Sequence, residues 1–131
     1  MAKSVLERVR VRPATPREGK RFERLMARHH YLGWGRPVGE TLDYVAHVDG
    51  RWVALLTFGA AAYALRDRDE WIGWTAEQRR GRLNFLTQNR RFLILPDEAE
   101  PNLASRVLSL CERRLAADWS EAHGHPVLAV E

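Results

Sequence analysis

Arginine side chains gather between positions 79 and 91 of this 131-residue chain. The members of the cluster are Arg79, Arg80, Arg82, Arg90 and Arg91. A guanidinium group binds phosphate through a planar, bidentate fork, and so a cluster of this kind suits a nucleic-acid backbone. The pattern predicts a surface that binds DNA or RNA. A genome rich in arginine codons is the alternative explanation.

A second basic run lies on a helix that the sequence predicts after Thr15. Thr15 is the predicted cap, Pro16 the first helical residue, and Glu18 the partner that completes a capping box. Apolar spacing marks one face of this helix, at Phe22, Leu25, Met26 and His29. The other face is basic, with Arg17, Lys20, Arg21, Arg24 and Arg28. We interpret the basic face first as a solvated surface and second as a phosphate-binding stripe.

The segment from His29 to Gly39 holds three glycines, one proline, two histidines and two aromatic residues. This composition predicts a loop. Aromatic and histidine side chains on a loop are harder to explain as core than the same residues on a helix. The segment therefore either lines a functional cleft or is a plain connection.

The run Phe92–Leu95 is continuously apolar, as in a strand covered on both faces. Pro96 ends that strand, and Pro101 and Asn102 then begin a helix, with Asn102 as its predicted cap. The free N–H groups and the dipole at a helix N-terminus favour anions. The layout suits a ligand site, although plain structural crossovers share it.

Other reactive side chains have simpler explanations. Three carboxylates lie among arginines, at Asp67, Asp69 and Glu70. We predict that they form surface salt bridges rather than acid–base pairs. His123 and His125 have no cysteine nearby, so we predict no metal site. Cys111 falls on an apolar helix face and is predicted to be core rather than a nucleophile.

Strands are predicted on both sides of these groups. Alternating apolar and charged side chains predict a first strand at Leu6–Ala14. The dipeptide Asp49-Gly50 predicts a hairpin turn between two strands, Thr41–Val48 and Arg51–Phe58. The second hairpin strand is predicted to present one apolar face, with Trp52, Ala54, Leu56 and Phe58. The last predicted strand is Val127–Val130.

Helices are predicted between these strands. A short helix should follow Gly59, and Thr75 opens another through a capping box with Gln78, ending near Gln88-Asn89. The last helix should bury an apolar row, at Leu103, Val107, Leu110, Cys111 and Leu115. The order β-α-β-β-α-α-β-α-β predicts an α/β (α+β) fold, with a mixed central sheet flanked by helices.

The composition, 45% hydrophobic and 29% charged, is that of a soluble single domain. A helix needs about 20 apolar residues to span a bilayer, and no apolar run in the sequence approaches that length. The N-terminal residues also lack the apolar segment of a secretory signal peptide. One cysteine cannot form an internal disulfide, so we expect a cytoplasmic protein. The net charge of +4 permits a nucleic-acid partner without requiring one.

Several short elements together resemble one family. They are HHYLG at His29–Gly33, FGAAAY after the hairpin, RDEWIGW, RFLILP followed by PNLAS, and DW at Asp118-Trp119. The set is similar to the uncharacterised domain of the Druantia anti-phage system protein A, which also occurs beside transposases. The resemblance implies nucleic acid, or other defence or transposon-encoded proteins, as partners. It also predicts that residues 1–131 form a single domain that lacks the family's last strands.

A more distant similarity is to GNAT-type acyltransferases, especially the Mom-like DNA-modification proteins of phages. The matching residues are His29, His30, Tyr31, Pro101, Asn102 and Ser105. The similarity implies that His29 or His30 is a catalytic base and that Tyr31 is a third catalytic candidate. It implies that Asn102 and Ser105 bind a ligand across a shared cleft. The glycine-rich pyrophosphate loop of ordinary acetyltransferases is absent, so the cofactor is left unassigned.

Three hypotheses follow, in descending order. The first is a defence- or transposon-associated domain that contacts nucleic acid. The second is a GNAT-like enzyme that modifies a nucleobase. The third is an inactive scaffold that associates with itself through an exposed strand edge at Val127–Val130.

Overall fold

The computed structural model describes residues 4–35, 39–60 and 66–130. One sheet has the order β1-β2-β3-β4-β5, antiparallel from β1 to β4 and parallel between β4 and β5. The strands are β1 Arg10–Pro13, β2 Thr41–Val48, β3 Arg51–Ala60, β4 Leu86–Ile94 and β5 Ala129–Val130. The helices are α1 Val5–Arg8, α2 Gly19–His29, α3 Arg66–Ile72, α4 Ala76–Arg82 and α5 Leu103–His123, with 3₁₀ turns at Pro16–Glu18 and Leu83–Phe85. The predicted fold class is confirmed.

Different helices cover the two faces of the sheet. α5 covers one face with a buried row spaced four residues apart, at Leu103, Val107, Cys111, Leu115 and Trp119. α2 covers the opposite face through Phe22 and Met26, which cluster with Val45. Side chains alternate along β2, so Tyr44 and Ala46 face α5 while Val45 faces α2. Cys111 is thus core, as predicted.

The hairpin between β2 and β3 forms as predicted. Asp49 and Gly50 have φ values of 52° and 83°, and a two-residue type I′ turn requires positive φ at both positions. The prediction that Trp52 shares a face of β3 with Ala54 was wrong. The pairing with β2 skips Val53, so β3 has a bulge there that turns Trp52 to the α2 face.

The first predicted strand, Leu6–Ala14, was too long. Val5–Arg8 forms a helical turn because the Ser4 hydroxyl accepts a hydrogen bond from the Glu7 N–H at 3.3 Å. β1 therefore begins only at Arg10.

The helix after Thr75 is capped as predicted, since the Thr75 N–H donates to Gln78 Oε1 at 2.8 Å. It ends at Arg82 and not near Gln88-Asn89. β4 begins at Leu86 instead, and it pairs with β3 from Thr87 onward, where the Thr87 hydroxyl donates to the Gly59 carbonyl at 2.6 Å.

β4 is longer than the strand predicted at Phe92–Leu95, since it spans Leu86–Ile94. The helix predicted after Gly59 falls partly on residues 61–65, which lie outside the described part of the chain, and a helix is described at Arg66–Ile72. The last strand is Ala129–Val130, shorter than the predicted Val127–Val130, and pairs only with the first two residues of β4. Among the described residues, no helix has both the length and the apolar character to cross a membrane.

A polar link fixes α5 to the sheet. The Tyr44 hydroxyl donates to Asp118 Oδ2 at 2.6 Å, and Arg114 Nε donates to the same oxygen at 2.6 Å. Arg114 Nη1 also donates to the Val11 carbonyl at 2.8 Å. Burial, followed by the bond to Asp118, raises the pKa of the Tyr44 phenol well above its usual value. The link therefore ties α5 to both β1 and β2.

Candidate nucleic-acid interface

The outer face of α2 and its preceding turn carries a stripe of positive charge. Apart from the neighbours Lys20 and Arg21, its members are three or four residues apart, which places them on one side of a helix with 3.6 residues per turn. They are Arg17, Lys20, Arg21, Arg24 and Arg28, and all five are exposed. This α2 stripe extends over about 17 Å at 1.5 Å per residue.

Most cations of the α2 stripe form no ion pair with a carboxylate of the described residues. Glu18, the nearest acid at its start, is bound by Arg12 at 2.6 and 2.8 Å. Arg21 places its guanidinium 3.9 Å from the ring centre of Trp52, a cation–π contact. Within the described part of the chain, Arg17, Lys20, Arg24 and Arg28 have neither an ion pair nor such a ring contact. Unpaired cations in a row can neutralise successive phosphates.

A tight turn at His30–Gly33 closes α2. The His30 N–H donates to the Met26 carbonyl at 3.0 Å, and the Gly33 N–H donates to the His30 carbonyl at 2.8 Å. Gly33 has a φ of +65°, which glycine adopts without strain. The Leu32 N–H donates to His30 Nδ1 at 3.0 Å. These bonds fix both the backbone of the turn and the His30 ring.

Tyr31 stacks on the fixed His30 ring. The ring centres lie 4.8 Å apart at an angle of 21°, and Tyr31 is 89% exposed. Because His30 Nδ1 accepts a hydrogen bond, the neutral ring carries its proton on Nε2. Burial, and then the charge of Arg91, lowers the pKa of His30 below its usual 6.5. The His30 ring that supports Tyr31 is therefore neutral near pH 7.

A bulge in β4 orients two arginines of the predicted cluster. The pairing with β3 skips Arg90, which is the extra residue. The Asn89 amide holds the bulge by donating to the carbonyls of Thr57 at 3.2 Å and Arg91 at 3.0 Å. Gly59 leaves room for Arg90, because a Cβ there would lie 2.4 Å from Arg90 Cδ. Arg90 and Arg91 are half-buried in this arrangement.

A polar row crosses the α2 face of the sheet. Asp43 pairs with Thr57, and Thr57 pairs with Arg91. The Thr57 hydroxyl donates to Asp43 Oδ1 at 2.9 Å. Burial raises the pKa of Asp43 and Glu23 adds to the rise, although the Thr57 bond opposes it. This carboxyl was not predicted from the sequence. The available signal was its spacing of two residues from the apolar Val45, which places both side chains on one face of β2.

The sequence profile of the family described as Druantia protein DruA matches residues 3–130. The chain belongs to the DruA family. Membership confirms the resemblance inferred from the short elements and associates the chain with the Druantia anti-phage system. The association with transposases stays a prediction. No curated protein matches the sequence.

This DruA-family chain shares its fold with GNAT-type acetyltransferases. AAC(6')-Iy, solved with a CoA-based bisubstrate analogue, has a TM-score of 0.55 at 10% identity over 94% of this chain and 77% of that one. NAA60 from Arabidopsis thaliana has a TM-score of 0.55 at 10% identity over 82% and 67%. A ribosomal-protein-alanine N-acetyltransferase from Brucella melitensis biovar Abortus 2308 has a TM-score of 0.51 at 16% identity over 94% and 79%. At this identity the likeness concerns the fold alone.

The residues predicted to share a catalytic cleft lie on different helices and different faces. His29 ends α2 and Asn102 precedes α5, and these helices cover opposite sides of the sheet. A cleft shared by the two residues stays a prediction. Asn102 occupies the predicted cap position with a φ of 69°, but its side chain makes no capping bond. Asn102 and Ser105 are both exposed.

The turn between β4 and α5 does not suit the phosphates of an acyl-CoA. It carries three carboxylates, at Asp97, Glu98 and Glu100. Glu98 is paired with Arg51 at 3.0 Å, and no ion pair joins the other two to a described residue. Two unpaired negative charges repel an anionic ligand.

The arginine cluster of residues 79–91 is divided in the structure. Arg79 donates to Asp69 Oδ2 at 3.0 Å, and Asp69 Oδ1 also accepts from Arg68 and Trp74. Burial alone would raise the pKa of Asp69, but these three bonds outweigh it and lower the pKa. The salt-bridge explanation of this carboxylate is confirmed. The exposed members of the cluster are Arg80 and Arg82.

Glu40 connects His123, the last residue of α5, and the following His125 to the start of β2. His125 Nε2 lies 2.6 Å from one Glu40 oxygen, and His123 Nδ1 lies 3.5 Å from the other. The hydrogen bond with Glu40 raises the pKa of His125. Among the residues that the structure describes, no group of three or more histidine, cysteine or acidic side chains could hold a metal ion.

Proposed function

We propose that this DruA-family chain contacts nucleic acid through the α2 stripe. The observation that carries the proposal is the row of exposed cations, most of them without an ion pair in the described chain. Such a row gains affinity by releasing the counterions of a phosphate backbone. The stripe is a better candidate than the cluster at 79–91, because Asp69 neutralises Arg79 and the bulge half-buries Arg90 and Arg91.

Fluorescence anisotropy of a labelled oligonucleotide, titrated at several salt concentrations, tests this proposal. The wild-type chain should bind at low salt and weaken steeply as salt rises. The triple change Lys20→Ala, Arg24→Ala and Arg28→Ala removes three phosphate contacts. For a single strand it should reduce the slope of log affinity against log salt by about 2, at about 0.7 per contact.

A matched triple variant removes the same charge elsewhere. It combines Arg51→Ala, Arg66→Ala and Arg113→Ala. Arg51 and Arg66 are paired with Glu98 and Glu70, and Arg113 lies on α5, across the sheet from α2. This control should keep the wild-type slope. Undetectable binding at low salt, or equal slopes for the two triple variants, would refute the proposal.

An acyltransferase-type enzyme acting on a nucleobase is the second candidate, and Asp43 favours it. A half-buried carboxyl with a raised pKa can accept a proton nearer neutral pH than an exposed one. We assign it no cofactor, because the turn before α5 does not suit an acyl-CoA. Mass spectrometry of an oligonucleotide incubated with the chain and acyl donors is the test. Asp43→Asn should abolish any added mass and leave binding unchanged; an unmodified strand with the wild type would remove the candidate.

Self-association is the third candidate. Leu128, just before β5, is 73% exposed, and Val130 of β5 is 39% exposed. β5 pairs only with Leu86 and Thr87 of β4. A short apolar edge of this kind can pair with a second copy. Sedimentation velocity should then show a dimer that Leu128→Glu disrupts, and a monomer at every concentration would exclude it.

A further inference from the structure

Tyr31 presents an aromatic ring to solvent on a fixed support. One face of the ring stacks on His30 at 4.8 Å, and 89% of the residue is exposed. The His30 ring is itself held by the Leu32 N–H, and the turn is closed by the Gly33 N–H. A supported ring loses little conformational entropy when a second flat group stacks on it.

This ring lies at the end of the α2 stripe. Arg28, the last stripe residue, precedes Tyr31 by three positions, and α2 ends between them at His29. A strand whose phosphates follow the stripe toward its C-terminal end therefore arrives at Tyr31. The stripe supplies contacts that any nucleic acid can make, whereas the ring supplies a contact that needs a free base face.

We propose that the α2 stripe and Tyr31 together bind single-stranded nucleic acid, with one unpaired base stacked on Tyr31. This inference rests on the proposed function and specifies its substrate class. Bases within a duplex are already stacked and paired, so they offer no face to the ring without unstacking. Single strands therefore gain the stacking contact and duplexes do not.

The experiment compares one labelled single strand, its duplex, and an abasic strand of the same phosphate number. The wild-type chain should prefer the single strand over both others. Tyr31→Ala should weaken single-strand binding by about tenfold or more, the typical effect of removing one base–aromatic stack. It should leave binding to the duplex and the abasic strand unchanged, and Tyr31→Trp should keep the preference.

Trp71→Ala is the matched control. Trp71 is 88% exposed but lies on α3, away from the α2 stripe in the sequence, so its removal should not change binding. The inference is overturned if Tyr31→Ala binds single strands like the wild type, or if the abasic strand binds as well as the normal one. If the stripe variants still lower the salt slope, the proposed function survives that result. If no nucleic acid binds, both fail.

Discussion

Removal of the Tyr44 hydroxyl tests how α5 is held against the sheet. Tyr44→Phe deletes one oxygen from a side chain with no exposed surface and keeps the ring, whose centre lies 5.8 Å from that of Phe58. Asp118 keeps its hydrogen bond from Arg114 at 2.6 Å. The carboxylate is therefore not left unpaired, and the change isolates one charge-assisted hydrogen bond.

The expected loss is about 1.5–3 kcal/mol in the free energy of unfolding, as for hydrogen bonds to charged groups. Asp118→Ala should cost more. It leaves the buried Tyr44 hydroxyl without its acceptor, which adds about 1–3 kcal/mol, and it removes the partner of Arg114. In the Asp118→Ala background, Tyr44→Phe should instead be stabilising, because it removes the buried hydroxyl that the first change left without an acceptor.

Urea unfolding measures these differences, provided that the m-value is unchanged. Tyr31→Phe is the matched control, since it makes the same chemical change on a residue that is 89% exposed. It should stay within about 0.5 kcal/mol of the wild type. A Tyr44→Phe effect as small as that of Tyr31→Phe would refute the reasoning. An equal effect in the wild-type and Asp118→Ala backgrounds would refute it as well.

Three further predictions concern titratable groups. The Arg12 hydrogen bond lowers the pKa of Glu18 from 4.5 to about 2, so its stabilisation is present above pH 4.5 and is lost as pH falls through about 2. Glu18→Gln should flatten the unfolding free energy in that window. The Glu40 hydrogen bond raises the pKa of His125 above 6.5, so that stabilisation is present below pH 6.5 and is lost as pH rises through the higher folded value. Glu40→Gln should remove this loss from a series of melting temperatures. Burial raises the pKa of Cys111 to about 12, so its thiol should react with Ellman's reagent only as fast as the chain opens, and a rapid reaction in native buffer would contradict this.

Local signals allowed much of this fold to be predicted. The hairpin follows from Asp49-Gly50, and the start of α4 follows from Thr75, because each depends on residues only a few positions apart. The buried face of α5 follows from apolar residues four positions apart. The family assignment likewise depends on short elements such as HHYLG and PNLAS, which are contiguous in the chain.

The two bulges could not be predicted, because a bulge depends on how one strand pairs with another. Val53 and Arg90 are extra residues only relative to β2 and β3, and nothing in their own neighbourhood marks them. The first bulge moved Trp52 beneath Arg21 of the α2 stripe. The second half-buried Arg90 and Arg91, so the densest basic cluster of the sequence became the less accessible one.

His30 joins the two parts of the α2 face that bear on function. Its ring stacks under Tyr31. Its pKa is lowered by burial and then by the charge of Arg91, which ends the polar row that begins at Asp43. A lowered pKa keeps this ring neutral, so it neither adds to the charge of the stripe nor repels it. A base stacked on Tyr31 would then be recognised by shape, while the stripe recognises phosphate. His30→Ala should therefore reduce the single-strand preference as Tyr31→Ala does, yet keep the salt slope, because the cations that set that slope are untouched.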